Sequence, residues 1–146
     1  MKIRIIVPLH PKLIIAVLAL SLLPIQGSAS ELRQQIIAGF AQDAKLKNSG
    51  FAGFSAGRGQ TLFLSKPATG KPDTPSCTTC HSINPAAKGQ TRAGKEIAPM
   101  AVSKTPERFT DSKKVEKWFR RNCKSVLGRI CTALEKGDFV TFMSNQ

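Results

Sequence analysis

Two cysteines three positions apart, with a histidine directly after the second, constrain this chain more than any other feature. The motif is Cys77-x-x-Cys80-His81, and this spacing is the attachment signal for c-type haem. Cys77 and Cys80 can each form a thioether bond with a vinyl group on one edge of the porphyrin, and the short backbone then holds His81 against the iron. The motif predicts one covalent haem c with His81 as the proximal axial ligand.

Two other interpretations of a Cys-x-x-Cys pair are a thioredoxin-like dithiol and half of a zinc site. A redox dithiol normally opens a helix that follows a strand, but the residues before Cys77 form a proline-rich connector, 66–75. A zinc site would need Cys123 and Cys131 as its second pair. Their spacing of eight differs from the two to four residues of a zinc knuckle. Both arguments favour haem attachment.

The N-terminus has the composition of a secretory signal peptide. Lys2 and Arg4 precede an apolar run at 13–23, and small residues follow at 27–30. The run has eleven residues, fewer than the roughly 18 to 20 that span a bilayer, so an uncleaved anchor is the lesser alternative. We expect a signal peptide over residues 1–29 and a periplasmic protein, because bacteria attach c-type haem outside the cytoplasmic membrane.

The composition of the remaining chain predicts a small, basic domain with one disulfide. Removal of residues 1–29 takes away three basic residues and no acid, which leaves 19 basic against 9 acidic side chains. A chain of this size suits one domain with a modest core, which a central haem would enlarge. Haem attachment uses two of the four cysteines, and the other two, Cys123 and Cys131, would be oxidised in the periplasm. We predict that they form a disulfide.

Helical periodicity predicts two helices before the haem motif. Residues 31–47 carry apolar side chains at helical spacing and form an amphipathic pattern. Ser55 can cap a second helix that continues through Leu64. Within it, Gly59 and Phe63 lie four residues apart and share a face, and the glycine permits close helix crossing.

Two further helices are predicted after the motif. A capping signal at Asp111 opens an apolar stripe that runs to Cys123 and should face the haem. Asp138 can cap a last short helix, which carries Phe139, Phe142 and Met143 and should pack against the Gly59 and Phe63 face. The intervening residues 84–104 are predicted to be a loop around the haem, and no strand pattern is convincing.

The sixth iron ligand separates an ordinary electron carrier from a protein with a weak or open site. The candidates are Met100, Met143 and Asn122. Met100 follows His81 by nineteen residues, which is a short span for a chain that must reach the other haem face. Met143 lies on an apolar stripe, where core filling is the expected role. Histidine ligation on both faces is excluded within the mature chain, because His10 leaves with the signal peptide.

Three segments resemble one known family. The sequence has Arg-Phe-Thr-Asp at 108–111, Trp-Phe-Arg-Arg-Asn-Cys at 118–123 and Gly-Arg-Ile-Cys at 128–131, all after a single haem motif. Together they resemble SHP, the sphaeroides haem protein family of c-type cytochromes. The resemblance covers most of the chain from about Ser55 onward, and no alignment of residues 31–48 is made.

The resemblance implies an all-α, class I cytochrome c fold with its helices around one covalent haem. We expect that domain at 55–146, preceded by an extra amphipathic helix and linker at 30–54. It also implies that Asn122 is the labile distal axial ligand and that Cys123 is bridged to Cys131. Without the resemblance, a helix C-cap would be the ordinary role of such an asparagine.

The chemistry of an amide ligand agrees with this implication. An amide oxygen is a hard, weak-field donor that tolerates ferric iron and binds ferrous iron poorly, so reduction should release Asn122. The ferrous haem could then bind oxygen, nitric oxide or carbon monoxide. The resemblance further implies electron receipt from a dihaem c-type cytochrome linked to a membrane cytochrome b.

Other functions stay open at this point. They are plain electron transfer with methionine ligation and a haem enzyme acting on peroxide or nitric oxide. A peroxidase would need a distal acid–base residue, and His81 is the sole mature histidine, so we expect no catalytic residue and favour binding with electron transfer. Nucleic-acid binding is the generic alternative for a basic chain and is disfavoured by export.

A group of basic residues surrounds Asn122 in the sequence. It could pair with haem propionates or attract an acidic redox partner by long-range forces, although such groups usually face solvent. Its members are Lys113, Lys114, Lys117, Arg120, Arg121, Lys124 and Arg129.

Overall fold

The computed structural model describes residues 28–146, so the predicted signal peptide lies outside the described residues apart from its last two positions. Within them, four helices carry the fold: α1 (Ala29–Lys47), α2 (Ala56–Leu64), α3 (Ser112–Leu127) and α4 (Ala133–Ser144). A single 3-10 turn covers Cys77–Thr79. No helix in the described part is long and apolar enough to cross a membrane. The predicted all-α class is confirmed.

Helix α1 matches the predicted amphipathic helix and starts two residues earlier. Ser28 caps it by accepting a hydrogen bond from the Glu31 amide, while the Glu31 carboxylate accepts one from the Ser28 amide. Cleavage after Ala29 would remove this cap. Phe40 and Ala44 are buried from this helix, and Phe40 meets Phe119 of α3 edge to face at 6.0 Å.

Helices α2 and α4 cross closely, as the sequence predicts. Helix α2 starts directly after Ser55, and its Gly59 lies against the backbone of Asp138, where a Cβ atom would overlap the carbonyl. Phe63 is fully buried and contacts the rings of Phe139 and Phe142 at centroid distances of 6.1 and 6.0 Å. The glycine therefore sets how closely the two helices approach.

The predicted start of α4 is wrong. The helix begins five residues before Asp138, and its N-cap is Thr132. Thr132 and Glu135 form a reciprocal capping box, which satisfies the first amides of the helix better than a single aspartate could. Asp138 lies inside the helix, buried, and accepts hydrogen bonds from Ser55 and Arg58 of the α2 region.

Helix α3 begins after Asp111 as predicted, but it extends four residues past Cys123. Its C-cap is Gly128, in the left-handed conformation with φ of 69°. The buried side chains of α3 pack into the same core as α1 and α4, and Phe119 meets Phe139 at 5.6 Å.

The long segment after the haem motif is mostly loop, as predicted. It differs from the prediction in one respect, because Gly89–Gln90 pairs antiparallel with Glu96–Ile97 to form strands β1 and β2. Strands of two residues are too short to give an alternating pattern, so sequence periodicity could not detect them.

Candidate haem site

The three residues of the haem motif lie on one tight turn. The amides of Cys80 and His81 both donate to the Cys77 carbonyl, at 3.3 and 3.1 Å. Buried Ser76 caps the turn: its hydroxyl accepts from the Thr78 amide at 3.2 Å. Cys77, Cys80 and His81 are thus brought together as the sequence predicts.

Strand β1 holds this turn from the other side. The Gln90 amide donates to the Cys80 carbonyl at 2.8 Å, and a Cβ atom at Gly89 would overlap the same oxygen. The residue at position 89 must therefore be glycine for the strand to approach the turn. This support was not apparent from the sequence.

The two thiols fit thioether attachment better than the alternatives. Both Cys77 and Cys80 are free and half-buried. Burial raises the pKa of the Cys77 thiol to about 11, whereas a redox-active dithiol works through a stabilised thiolate. A zinc site is also disfavoured, because the structure joins Cys123 and Cys131 to each other.

His81 is half-buried and suited to bind a metal. Burial, and to a smaller extent the charge of Arg108, lower its pKa below the ordinary value. The neutral imidazole, which is the form that binds a metal, is therefore favoured at neutral pH. One turn with two free thiols and a neutral imidazole can hold haem c, which would supply an iron centre for electron exchange.

In the structure, the positions of Met143 and Met100 are explained by packing and backbone bonding, without iron ligation. Met143 is fully buried among the aromatic rings of the core, and its carbonyl accepts a hydrogen bond from Val102. The Met100 amide donates a hydrogen bond to the Pro85 carbonyl at 2.9 Å, and Pro85 lies four residues after His81. Met100 is therefore fixed beside the loop that leaves His81.

Asn122 lies in the interior of α3 and is not a C-cap, since the helix continues for five more residues. By helical spacing it shares a face with Val115 and Val126, which are buried. Asn122 is itself exposed, as is Trp118 one turn earlier, which is 49% exposed. An amide donor and a flat indole thus lie together on one surface of α3.

The connector before the haem motif is attached to the end of α3. The Thr74 hydroxyl contacts the Ser125 hydroxyl at 3.0 Å, the Lys71 amide donates to the Ser125 carbonyl at 2.7 Å, and Thr69 donates to Leu127 at 2.9 Å. A Cβ atom at Gly70 would overlap the same stretch of α3 backbone. These bonds link the haem turn to the helix that carries Asn122, and the proline-rich sequence gave no signal of them.

The segment after α3 is held at two points. The structure has a disulfide between Cys123 and Cys131, with Cα atoms 5.6 Å apart and both residues buried. Arg129 forms two hydrogen bonds with the Glu135 carboxylate, at 2.6 and 2.8 Å. The turn between α3 and α4 is therefore closely fixed to Cys123, the neighbour of Asn122.

The basic residues around Asn122 are all exposed. Two of them bind acids, since Arg129 pairs with Glu135 and Lys114 lies 3.6 Å from Asp111. Arg121 lies over the Trp118 ring at 5.5 Å. The surface of α3 is therefore strongly positive beside Asn122.

Comparisons with known proteins agree with this geometry. Residues 49–143 match a family described as a domain of unknown function, DUF1924. The cytochrome c-type protein SHP of Cereibacter sphaeroides is 54% identical over 112 residues, which cover 77% of this chain and 82% of that protein. Cytochrome c'' of Methylophilus methylotrophus is 37% identical over 86 residues, 58% of this chain and 60% of that protein.

Solved structures give the same result. A structure of oxidised SHP, described as an oxygen-binding cytochrome c, has a TM-score of 0.72 and covers 78% of this chain and 96% of its own. The crystal structure of oxidised cytochrome c'' from Methylophilus methylotrophus is 29% identical, has a TM-score of 0.65 and covers 77% of this chain and 93% of its own. The predicted fold and the predicted haem c cofactor are confirmed by these relatives. The chain belongs to the SHP family of c-type cytochromes.

Proposed function

We propose that this chain is a periplasmic monohaem cytochrome in which Asn122 is the labile axial ligand opposite His81. In its reduced form it binds a diatomic gas such as oxygen or nitric oxide, and it exchanges electrons with other cytochromes. The observation that carries the proposal is the position of Asn122: an exposed amide in the middle of a helix, beside Trp118, where neither capping nor core packing explains it.

The ligand chemistry of Asn122 supports release on reduction. Its amide oxygen is a hard donor, which favours ferric over ferrous iron. Asn122 is exposed on the helix surface, so no close packing holds its side chain in place. A rotation of the side chain is then enough to open the site.

The surroundings of Asn122 support a limited movement. The connector is bonded to Ser125 and Leu127, and Cys123 is bonded to Cys131. These contacts fix the helix backbone on the C-terminal side of the ligand. The amide can therefore leave and return without loss of helical structure in α3.

The location and the partners are part of the proposal. The predicted signal peptide at 1–29 and the bonded Cys123 and Cys131 are typical of an exported protein. By resemblance, the electron donor is a dihaem c-type cytochrome linked to a membrane cytochrome b. The exposed basic surface of α3 would attract any partner with an acidic surface at low salt.

Related proteins give independent support for gas binding and ligand release. SHP is described as an oxygen-binding cytochrome c. A solution structure of cytochrome c'', which is 29% identical to this chain, is described as giving insight into haem-ligand detachment. Both properties follow in this chain if Asn122 binds the iron weakly.

The alternatives are less well supported. A methionine-ligated electron carrier would need the side chain of Met143 to leave the core, or that of Met100 to leave its packing against the core. An enzyme acting on peroxide would need a distal acid or base. The single acidic side chain inside α3 is Glu116, which pairs with Lys136 at 2.7 Å.

Absorption spectra of the ferric, ferrous and ferrous plus carbon monoxide forms test the proposal. A high-spin ferrous spectrum that shifts with carbon monoxide is expected, and Asn122→Ala should convert the ferric spectrum to high spin. Asn48→Ala, at the C-cap of α1, is the matched control and should change neither spectrum. A low-spin ferrous form indifferent to carbon monoxide would show an ordinary electron carrier.

Turnover measurements separate binding from catalysis. Purified holoprotein with excess reductant is supplied with hydrogen peroxide or with nitric oxide, and consumption is followed with an electrode. We expect binding without sustained consumption. Rapid consumption that Asn122→Ala leaves unchanged would favour the enzyme function instead.

A further inference from the structure

Helix α1 sends one charged side chain into the interior. Arg33 is only 6% exposed, although a guanidinium is among the groups least tolerated in a protein core. Its nitrogens donate to two backbone carbonyls, that of Arg108 at 3.0 Å and that of Pro106. Arg33 thus fixes the segment 106–108 to α1.

The side chain of Arg108 in turn binds the backbone of the loop that follows the haem motif. Its Nε donates to the Pro99 carbonyl at 3.0 Å, and its Nη2 donates to the Ala98 carbonyl at 2.6 Å. The Thr105 hydroxyl also donates to Pro99, at 3.0 Å. The backbone at 98–99 is therefore held by three side-chain hydrogen bonds.

The next two residues complete the connection to His81. The amides of Met100 and Ala101 both donate to the carbonyl of buried Pro85, each at 2.9 Å. Pro85 lies four residues after His81, in the loop that leaves the ligand. A continuous series of hydrogen bonds and short peptide segments thus runs from α1 to the His81 side of the haem site.

Positive charge accumulates along this series. Among the ion pairs of residues 28–146, none includes Arg33 or Arg108, and both guanidinium groups bind only carbonyl oxygens there. Arg108 is half-buried, and burial lowers its pKa while the adjacent Glu107 offsets this in part. A positive charge near an iron centre favours the state with one more electron.

We propose that Arg33 and Arg108 are positioning residues for His81, and that their weakly compensated charge would raise the reduction potential of a haem held by His81. Helix α1 then has a function beyond packing, because its Arg33 holds Arg108 in place. The proposal rests on covalent haem and His81 ligation. Its charge effect is independent of gas binding and of the identity of the sixth ligand, whereas the iron–histidine band that tests positioning requires a five-coordinate ferrous haem.

Spectroelectrochemical titration of the holoprotein tests the charge effect. Arg108→Gln should reduce the ratio of ferrous to ferric protein at a fixed applied potential by about tenfold. Lys45→Gln, an exposed position on α1 with the same change in net charge, is the control and should alter the ratio much less. An equal effect of the two variants would overturn the charge effect.

The positioning effect is tested with charge-conserving variants. Arg108→Lys and Arg33→Lys retain the charge but cannot make the same two bonds, so we expect a shifted iron–histidine band in the resonance Raman spectrum of the ferrous form. If both variants lose thermal stability yet keep the wild-type band and potential, α1 serves packing alone. Titrating Arg108→Gln in an Asn122→Ala background separates this inference from the proposed ligand, because the tenfold effect should persist there.

Discussion

The carboxylate of Asp138 binds Arg58 through both of its oxygens, with N to O distances of 2.7 and 2.8 Å. One of these oxygens also accepts a hydrogen bond from the Ser55 amide at 2.6 Å. Asp138 is 3% exposed, so it is a buried anion in the middle of α4 that fixes the start of α2. Three strong donors compensate for its desolvation.

Removal of this carboxylate should destabilise the protein. Asp138→Ala leaves the Ser55 amide and the Arg58 guanidinium without their acceptor, and we expect the free energy of unfolding to fall by about 2 to 4 kcal/mol. Glu116→Ala removes an exposed carboxylate paired with Lys136 and should cost less than about 1 kcal/mol. Denaturant unfolding of the ferric holoproteins measures both, and equal losses would contradict the structural role of Asp138.

Because α2 and α4 cross closely, a glycine-to-alanine substitution should change stability in opposite directions at the two glycines Gly59 and Gly57. Gly59→Ala places a Cβ atom 2.8 Å from the Phe142 Cβ and into the Asp138 carbonyl, so we expect a loss of about 1 to 3 kcal/mol. Gly57→Ala in the same helix has its nearest contact at 3.6 Å and should raise stability by about 0.5 kcal/mol. Thermal unfolding of the two variants checks the sign of each change.

Because the connector at 66–75 is bonded to α3, its loosening should weaken the binding of the proposed ligand Asn122 to the iron. Thr74→Val removes the contacts of its hydroxyl with Ser125, and we expect a stability loss of about 1 kcal/mol with more high-spin ferric haem. Thr61→Val, which removes a hydroxyl bonded only to the Gly57 carbonyl within α2, is the control and should leave the spectrum unchanged. Identical ferric spectra for both variants would show that the connector does not position Asn122.

Acid stability should depend on the pair formed by Arg129 and Glu135. Hydrogen bonds from Arg129, then from Thr132, lower the pKa of Glu135 below its ordinary value of 4.5. A lowered pKa in the folded state means that this stability is fully present above about pH 4.5 and is lost as the pH falls through the folded value. Unfolding free energies at pH 5 and pH 3.5 should therefore differ less in Glu135→Gln than in the wild type.

A second variant checks the cause of this pH dependence. Arg129→Gln should flatten the dependence between pH 5 and pH 3.5 nearly as much as Glu135→Gln, and the double variant should add little. Additive effects would mean that the two residues stabilise the fold independently.

Local patterns in the sequence were sufficient to predict several features of the structure. The haem motif, the caps at Ser55 and Asp111 and the helical pattern of α1 are all encoded within a few residues of where they act. Reliance on local pattern also produced the wrong prediction that Asp138 is the N-cap of α4. An aspartate before an apolar stretch has the pattern of an N-cap, but its partner is Arg58, eighty residues away.

The sequence by itself was enough to predict the haem c cofactor and to propose Cys77, Cys80 and His81 as the residues that hold it, because the motif lies within five residues. Tertiary structure alone decided what supports this site. The bonds of Arg33 to the segment 106–108 and of Thr74 to Ser125 join residues that are 51 to 75 positions apart. Such contacts depend on how the helices pack, and no periodicity or local motif records them.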